Sequence, residues 1–486
     1  MTQSEPVVVQ GTPVVVQGTP VSAPSATSTQ QYSTNVQSAA VTNGNWEGKG
    51  EKQPNRCRDP IFAILLYANL AAIIAVAAAL GQDAFESITI GGDYLPYMYA
   101  VLICCGFSLF FSFLVYLFMM RFPETLVKTS LIFVVILSLA WCIMAFISGS
   151  FIAGIFGAIF FLIGVCYARA VWSRIPFATS NLITAATAIK HNCGVTGEAL
   201  LAAIIAAGWS FLWAIALFGV WEDTYKCDAN GNCSLNYGYL FLMFLSYFFT
   251  HQVIQNTLHV SVAGAVGTWW FAPEESGCCA SGVRDSCCRA LTTSFGSICF
   301  GSLLVAIIRA LQQLANTARQ EGDAGILACI AECILACLAN LVEYFNQWAF
   351  VYVGLYGYGY LEAGKNVITL FKNRGWEAII ADDLVGNTLF LMSVIVGGLS
   401  GIVGLLLDFT TDYFASAPGN TRLVAFLLGF TVGIVLCSII LSTVSSGVNT
   451  VIVLFAEAPA EFQQNYPELS NRMRETWQAA FPGCLQ

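Results

Sequence analysis

IFAILLYANLAAIIAVAAAL (61–80) is twenty residues with no charge, no proline and no glycine. At about 1.5 Å of rise per residue, a helix of that length spans roughly 30 Å, the thickness of a bilayer's hydrocarbon core. Lipid offers backbone amides and carbonyls no partner, so such a run must be helical to satisfy itself. Nine more runs of comparable length follow, near 98–119, 129–147, 151–171, 199–219, 238–263, 294–317, 326–350, 386–407 and 423–448. The reading is an all-α polytopic membrane protein of about ten transmembrane helices over 56–458. A disordered tail (1–55) precedes it and a short cytosolic tail (459–486) follows.

Three independent patterns agree with that parse. None of the 14 prolines falls inside an expected span, as a residue that breaks the helical ladder requires. Composition is 57% hydrophobic and 10% charged, and so few charges cannot clothe a water-soluble domain. If the amino terminus is cytosolic and the spans alternate, only Lys226, Arg309, Arg319 and Arg422 of the 20 basic residues fall outside the cytosolic side. That bias is the positive-inside pattern, and it places both termini in the cytosol. A net charge of −9 argues against nucleic acid as a partner.

The tail carries PVVVQGT twice in tandem, at 6–12 and 13–19, with almost no large apolar residue to build a core. No apolar leader precedes the first span, so the expectation is a terminus that stays in the cytosol. Residues 172–198 are too polar to span and read as an amphipathic helix lying on the cytosolic membrane surface. In the exterior loop TYKCDANGNCS, Cys227 and Cys233 flank a turn, and a disulfide between them is expected. Asn232 begins a glycosylation sequon there. In the cytosolic loop CCASGVRDSCCR, Cys278, Cys279, Cys287 and Cys288 lie beside the bilayer. Their CC spacing is not that of a zinc site. They read as palmitoylation candidates or as inert thiols.

Ionisable groups at membrane depth are costly and therefore functional candidates. His251, Gln255 and His259 repeat every four residues in the sixth span and share a face with Asn256 close by. This stripe either lines a wet pathway or joins helices by hydrogen bonds. Arg309, in the seventh span, is expected to form a structural ion pair with Glu332 across a hairpin turning near residue 322. Glu343 lies about three turns beyond Glu332 and has no obvious partner. Trp141, Trp209, Trp213, Tyr247, Trp348, Tyr352 and Tyr356 supply rings that suit a quaternary ammonium, or an ordinary interfacial belt. Gly397 and Gly401 offer a small-xxx-small contact, while Gly354, Gly357 and Gly359 permit a helix break. No GxSxG, HExxH or phosphate-loop motif is present, so the reading is neither an enzyme nor a metal or cofactor protein.

Several longer segments carry a resemblance. HVSVAGAVGTWWFAP (259–273), FGSICFGSLLVAIIRALQ (295–312), LVEYFNQWAFVYVGLYGYGYLEAGKNVITL (341–370), RIPFATSNLITAATAIK (174–190) and FAEAPAEFQQNYPELSNRMRETW (455–477) are similar to motifs of the choline transporter-like family (solute carrier family 44). The likeness covers about 57–480. It implies ten helices with both termini cytosolic, in a plasma membrane. It also implies transport of a small organic cation, choline or ethanolamine, sometimes described as proton-coupled. Asn256, Gly264, Trp269, Glu343, Asn346 and Gly357 match motif positions. The short loop at 81–97 departs from the animal members and sits closer to a fungal and protist branch. The competing reading is a non-transporting membrane protein of the same fold, handling lipid or acting as a regulatory scaffold. Membrane lipid is a partner under either reading, and the oligomeric state is open.

Overall fold

The computed structural model describes residues 50–81, 95–224, 226–227, 233–234, 236–320, 325–376, 384–411, 413–414 and 420–485. The PVVVQGT repeat, the sequon Asn232 and the side chains of Cys227 and Cys233 lie outside the described residues. In chain order the helices are α1 (Pro60–Leu80), α2 (Leu95–Arg121), α3 (Pro123–Ile147), α4 (Phe151–Val171), α5 (Ile175–His191) and α6 (Gly194–Thr224). A two-strand ribbon follows, β1 (Lys226–Cys227) paired antiparallel with β2 (Cys233–Ser234), which sets the backbone of Cys227 opposite that of Cys233. Then come α7 (Tyr237–Phe271), α8 (Ser281–Leu291), α9 (Phe295–Gln320), α10 (Gly325–Tyr356), α11 (Tyr360–Arg374), α12 (Leu384–Thr410), α13 (Thr421–Glu457), α14 (Pro459–Asn465) and α15 (Pro467–Ala480).

Local chemistry sets the helix starts. Proline opens α1, α3, α5, α14 and α15 within the first turn, where its missing N–H has no intrahelical partner to lose. Asn236 caps α7 by accepting from Gly238 N and Tyr239 N at 3.0 and 3.3 Å. Asn420 caps α13 through Leu423 N at 3.4 Å. These are the orphan amides that a helix leaves at its amino end.

Every expected span is a helix, yet only nine of the described helices are long and apolar enough to cross a membrane by composition. The exception is α7, whose polar stripe lowers its apolar content. It is nevertheless 35 residues long, about 52 Å at 1.5 Å per residue. It packs lengthwise against α9, α10 and α13. The segment leading into α1 meets the carboxyl end of α13, where Gly50 N donates to Glu457. The chain therefore begins and ends its crossings at one end, which requires an even number and makes α7 the tenth.

The bundle has a lipid side and a protein side. On α3 and α4, Trp141, Ile147, Phe151 and Ile152 are all more than two-thirds exposed, an outward apolar surface that lipid covers. Glycines set the tightest crossing, between α12 and α13. A Cβ on Gly404 would meet Ala425 O at 2.1 Å, and one on Gly429 would meet Ser400 O at 2.2 Å. The expected Gly397/Gly401 contact surface is part of this crossing, because Gly433 approaches the Cα of Gly397.

Two expectations about the far ends need correction. The 172–198 stretch does form a helix, α5, but twelve of its residues are buried rather than one face resting on lipid. Its polar residues are met by protein: Trp477 Nε1 donates to Asn181 Oδ1 at 2.8 Å, and Thr476 donates to Ser180 at 2.7 Å. The short carboxyl tail thus folds back as α14 and α15, with Phe462, Met473 and Trp477 buried. Cys278 forms a disulfide with Cys193, so it is not an open palmitoylation site. The same clasp holds Gly277 N to Asn192 Oδ1 at 3.0 Å. Cys279 and Cys288 are exposed. Burial, reinforced by the charge of Glu198, pushes the Cys287 thiol up to about 11. That leaves little of the Cys287 thiol in the thiolate form that acts as nucleophile.

Candidate substrate cavity

Three helices build the site. Residues Gln252, Gln255, Asn256 and His259 of α7, Glu343, Asn346 and Gln347 of α10, and Ser442, Ser445, Ser446 and Asn449 of α13 enclose a cavity of about 260 Å³. All eleven are polar. A polar wall deep in an apolar bundle is a costly arrangement unless it is wet or filled by a polar solute.

His259 ties the three helices together. Its Nε2 lies 3.1 Å from the backbone carbonyl of Gln347, and its Nδ1 lies 2.7 Å from Ser446 Oγ. A carbonyl only accepts, so Nε2 carries the hydrogen. In the neutral ring Nδ1 is then an acceptor facing the Ser446 hydroxyl, whose single hydrogen it shares with Ser442 O, 2.7 Å from the same Oγ. Asn256 Nδ2 donates to Ser302 Oγ at 2.9 Å, and Asn346 Nδ2 donates to Gly301 O at 3.1 Å. Tyr360 OH closes this network by donating to Asn346 Oδ1. Those bonds anchor the cavity wall on α9 and α11 and leave its inner faces open.

Glu343 is the one charged residue among the described residues lining the cavity. Both its oxygens are engaged by Arg309: Nε to Oε1 at 3.1 Å, Nη2 to Oε1 at 2.9 Å and Nη2 to Oε2 at 3.0 Å. The expected partner of Arg309, Glu332, is bound by Arg319 instead, at 3.2 Å. The two pairs run up the α9–α10 hairpin in step, ten residues apart on one helix and eleven on the other. The expected turn near residue 322 lies outside the described residues, and the packed register is offset by about three helical turns from the expected one.

Five of the sequence candidates meet here: Gln255, Asn256, His259, Glu343 and Asn346. Four do not. His251 sits one turn away against Tyr247, ring centroids 5.9 Å apart. Trp269 lies at the carboxyl end of α7, stacked on Tyr466 at 4.1 Å. Tyr352 and Tyr356 form a cluster with Tyr358 around Glu457, where Tyr356 OH donates to Glu457 Oε2 at 2.8 Å. The segment entering α1 covers that cluster, with Glu51 N donating to Tyr358 OH at 3.0 Å and Gln53 N donating to Tyr356 O at 2.8 Å. Beyond them, Gly357 ends α10 with φ 77, a conformation glycine adopts without cost. Sequence reasoning missed the third wall. Ser442, Ser445 or Ser446, and Asn449 recur every three or four residues in α13, the same signal that marked α7.

A profile of the plasma-membrane choline transporter family matches residues 155–460, which takes in all three walls of the cavity. Protein PNS1 of Mycosarcoma maydis is 30% identical, over 95% of this chain and 90% of its own length. A CTL-like protein of Dictyostelium discoideum is 29% identical, over 89% and 77%. Protein PNS1 of Saccharomyces cerevisiae is 26% identical, over 94% and 90%. With a profile covering more than half of its length, and relatives aligned nearly end to end, this integral membrane protein belongs to the choline transporter-like family.

Proposed function

We propose that the protein carries choline or a related amino alcohol across a membrane, using the cavity between α7, α10 and α13 as its midway site. The observation that carries this reading is the cavity itself: eleven polar side chains, one of them a carboxylate, held at membrane depth by a bundle whose outer surface is apolar. A lipid-handling or scaffold role would not require a polar chamber there. The carboxylate supplies a counter-charge, and the amides and hydroxyls supply partners for the alcohol. Alternating access would present the chamber to one side at a time.

Driving force needs no second solute. A monovalent cation gains about 2.3 kcal/mol per 100 mV of inside-negative potential. We place the protein in a plasma membrane with both termini cytosolic, which agrees with the distribution of its basic residues and with the family's description. No Phe, Tyr or Trp is among the described residues lining the cavity. That favours a substrate with N–H donors, such as ethanolamine, over a trimethylammonium head that is best held by aromatic faces.

The test is uptake of labelled choline and ethanolamine by cells that lack their own carriers. Saturable uptake above an empty-vector control is the expected result. Its absence for both solutes, with the protein present at the cell surface, removes the transport reading.

A further inference from the structure

The carboxylate in the cavity is already occupied. Three hydrogen bonds from Arg309 fill both oxygens of Glu343, in the forked geometry that makes guanidinium the strongest side-chain partner of a carboxylate. A cation entering the chamber thus meets a neutral pair, not a negative charge. Arg309 also has somewhere else to go. Its Nη1 already donates to Gln312 Oε1 at 3.2 Å, on the same helix and one turn away. Letting go of Glu343 would leave it held by an amide instead of stranded. The two side chains are 30% and 36% exposed, so the pair is not locked in a dry core, and its carboxylate partner, Glu343, lines the chamber.

We infer that Arg309 is a tethered stand-in for the transported cation: it holds Glu343 while the cavity is empty and yields the carboxylate when substrate arrives. This rests on the cation-transport reading above and deepens it. An unpaired carboxylate at membrane depth is expensive to move. With Arg309 in place the empty site is neutral and can reorient freely. With substrate bound, the chamber carries one net positive charge, so the membrane potential acts on the loaded step. Arg309 is therefore a positioning residue, acting on substrate through Glu343. Its role separates two measurements that a merely structural ion pair would move together. Exchange of substrate for substrate never requires the empty carrier to reorient, whereas net uptake does so in every cycle.

The full-length protein is reconstituted in liposomes, and wild type is compared with Arg309→Gln and Arg309→Lys, using labelled choline and ethanolamine. Three quantities are read: equilibrium binding, homo-exchange and net uptake. Removing the competitor in Arg309→Gln is expected to tighten binding about tenfold, the scale of one charge-assisted pair. Exchange should stay near the wild-type rate while net uptake falls at least about tenfold. Arg309→Lys keeps a charge but loses the fork. It should fold even where the glutamine variant does not, and bind severalfold more tightly than wild type. Weaker or unchanged binding in Arg309→Lys, or exchange and net uptake falling together in Arg309→Gln, overturns the inference and leaves the transport reading standing. No binding or flux of either solute by wild type overturns the transport reading and the inference with it.

Discussion

On α4, Phe151, Ile152 and Phe160 stand exposed to surroundings that only lipid can fill, while on α7 eighteen residues are buried and the polar ones face other helices. Both helices lie at membrane depth, but they answer to different solvents. A side chain on α4 meets acyl chains that are as apolar as itself, so its identity matters little beyond being apolar. A side chain on α7 meets a specific neighbour at a specific distance, and its shape and hydrogen bonds are fixed by that neighbour. Composition alone recognises α4 as a membrane helix and passes over α7, although α7 organises the cavity.

If that contrast is right, perturbing the protein side should cost far more than perturbing the lipid side. The largest effect is expected for Glu343→Gln, which leaves the Arg309 guanidinium without its charge partner. The pair is only partly buried, at 30% and 36% exposure, and its loss is to be read as a large drop in melting temperature and surface yield. Gly354→Leu follows. A Cβ there would lie 2.6 Å from Val260 O on α7, and overpacking against backbone should cost about 3 kcal/mol. Gly208→Leu, on an exposed face of α6 with nothing within 4 Å, is the control. It should keep the wild-type elution profile in size-exclusion chromatography, and equal losses in the two variants would erase the distinction between the two faces.

Smaller effects sharpen the same contrast within α7. His259→Leu removes two hydrogen bonds that join α10 and α13, worth about 1–3 kcal/mol together. His251→Leu should leave thermal stability unchanged or raise it, because His251 Nε2 is buried without a hydrogen-bond partner among the described residues. Equal destabilisation by both would mean that the stripe acts as a unit and that the cavity does not single out His259. Smallest of all, Ile152→Leu on α4 should shift stability by less than about 0.5 kcal/mol, with uptake unaltered. A clear loss there would reveal a protein neighbour at a position the structure leaves exposed.

The sequence by itself determined the helical class and the succession of apolar runs that form the long helices. Each follows from a one-dimensional quantity: length of apolar run or position of proline. It also picked out the stripe on α7, since a period of four is visible without a partner. Only the tertiary structure decided which parts of each stripe converge. His259 meets Ser446 while His251 meets Tyr247, and Arg309 takes Glu343 and not Glu332, because helix register depends on how side chains interlock across the crossing. It also turned α5 from a surface helix into a buried one, since the covering layer, α15, comes nearly 300 residues later in the chain. Periodicity assigns a residue to a face, and packing alone determines what that face meets.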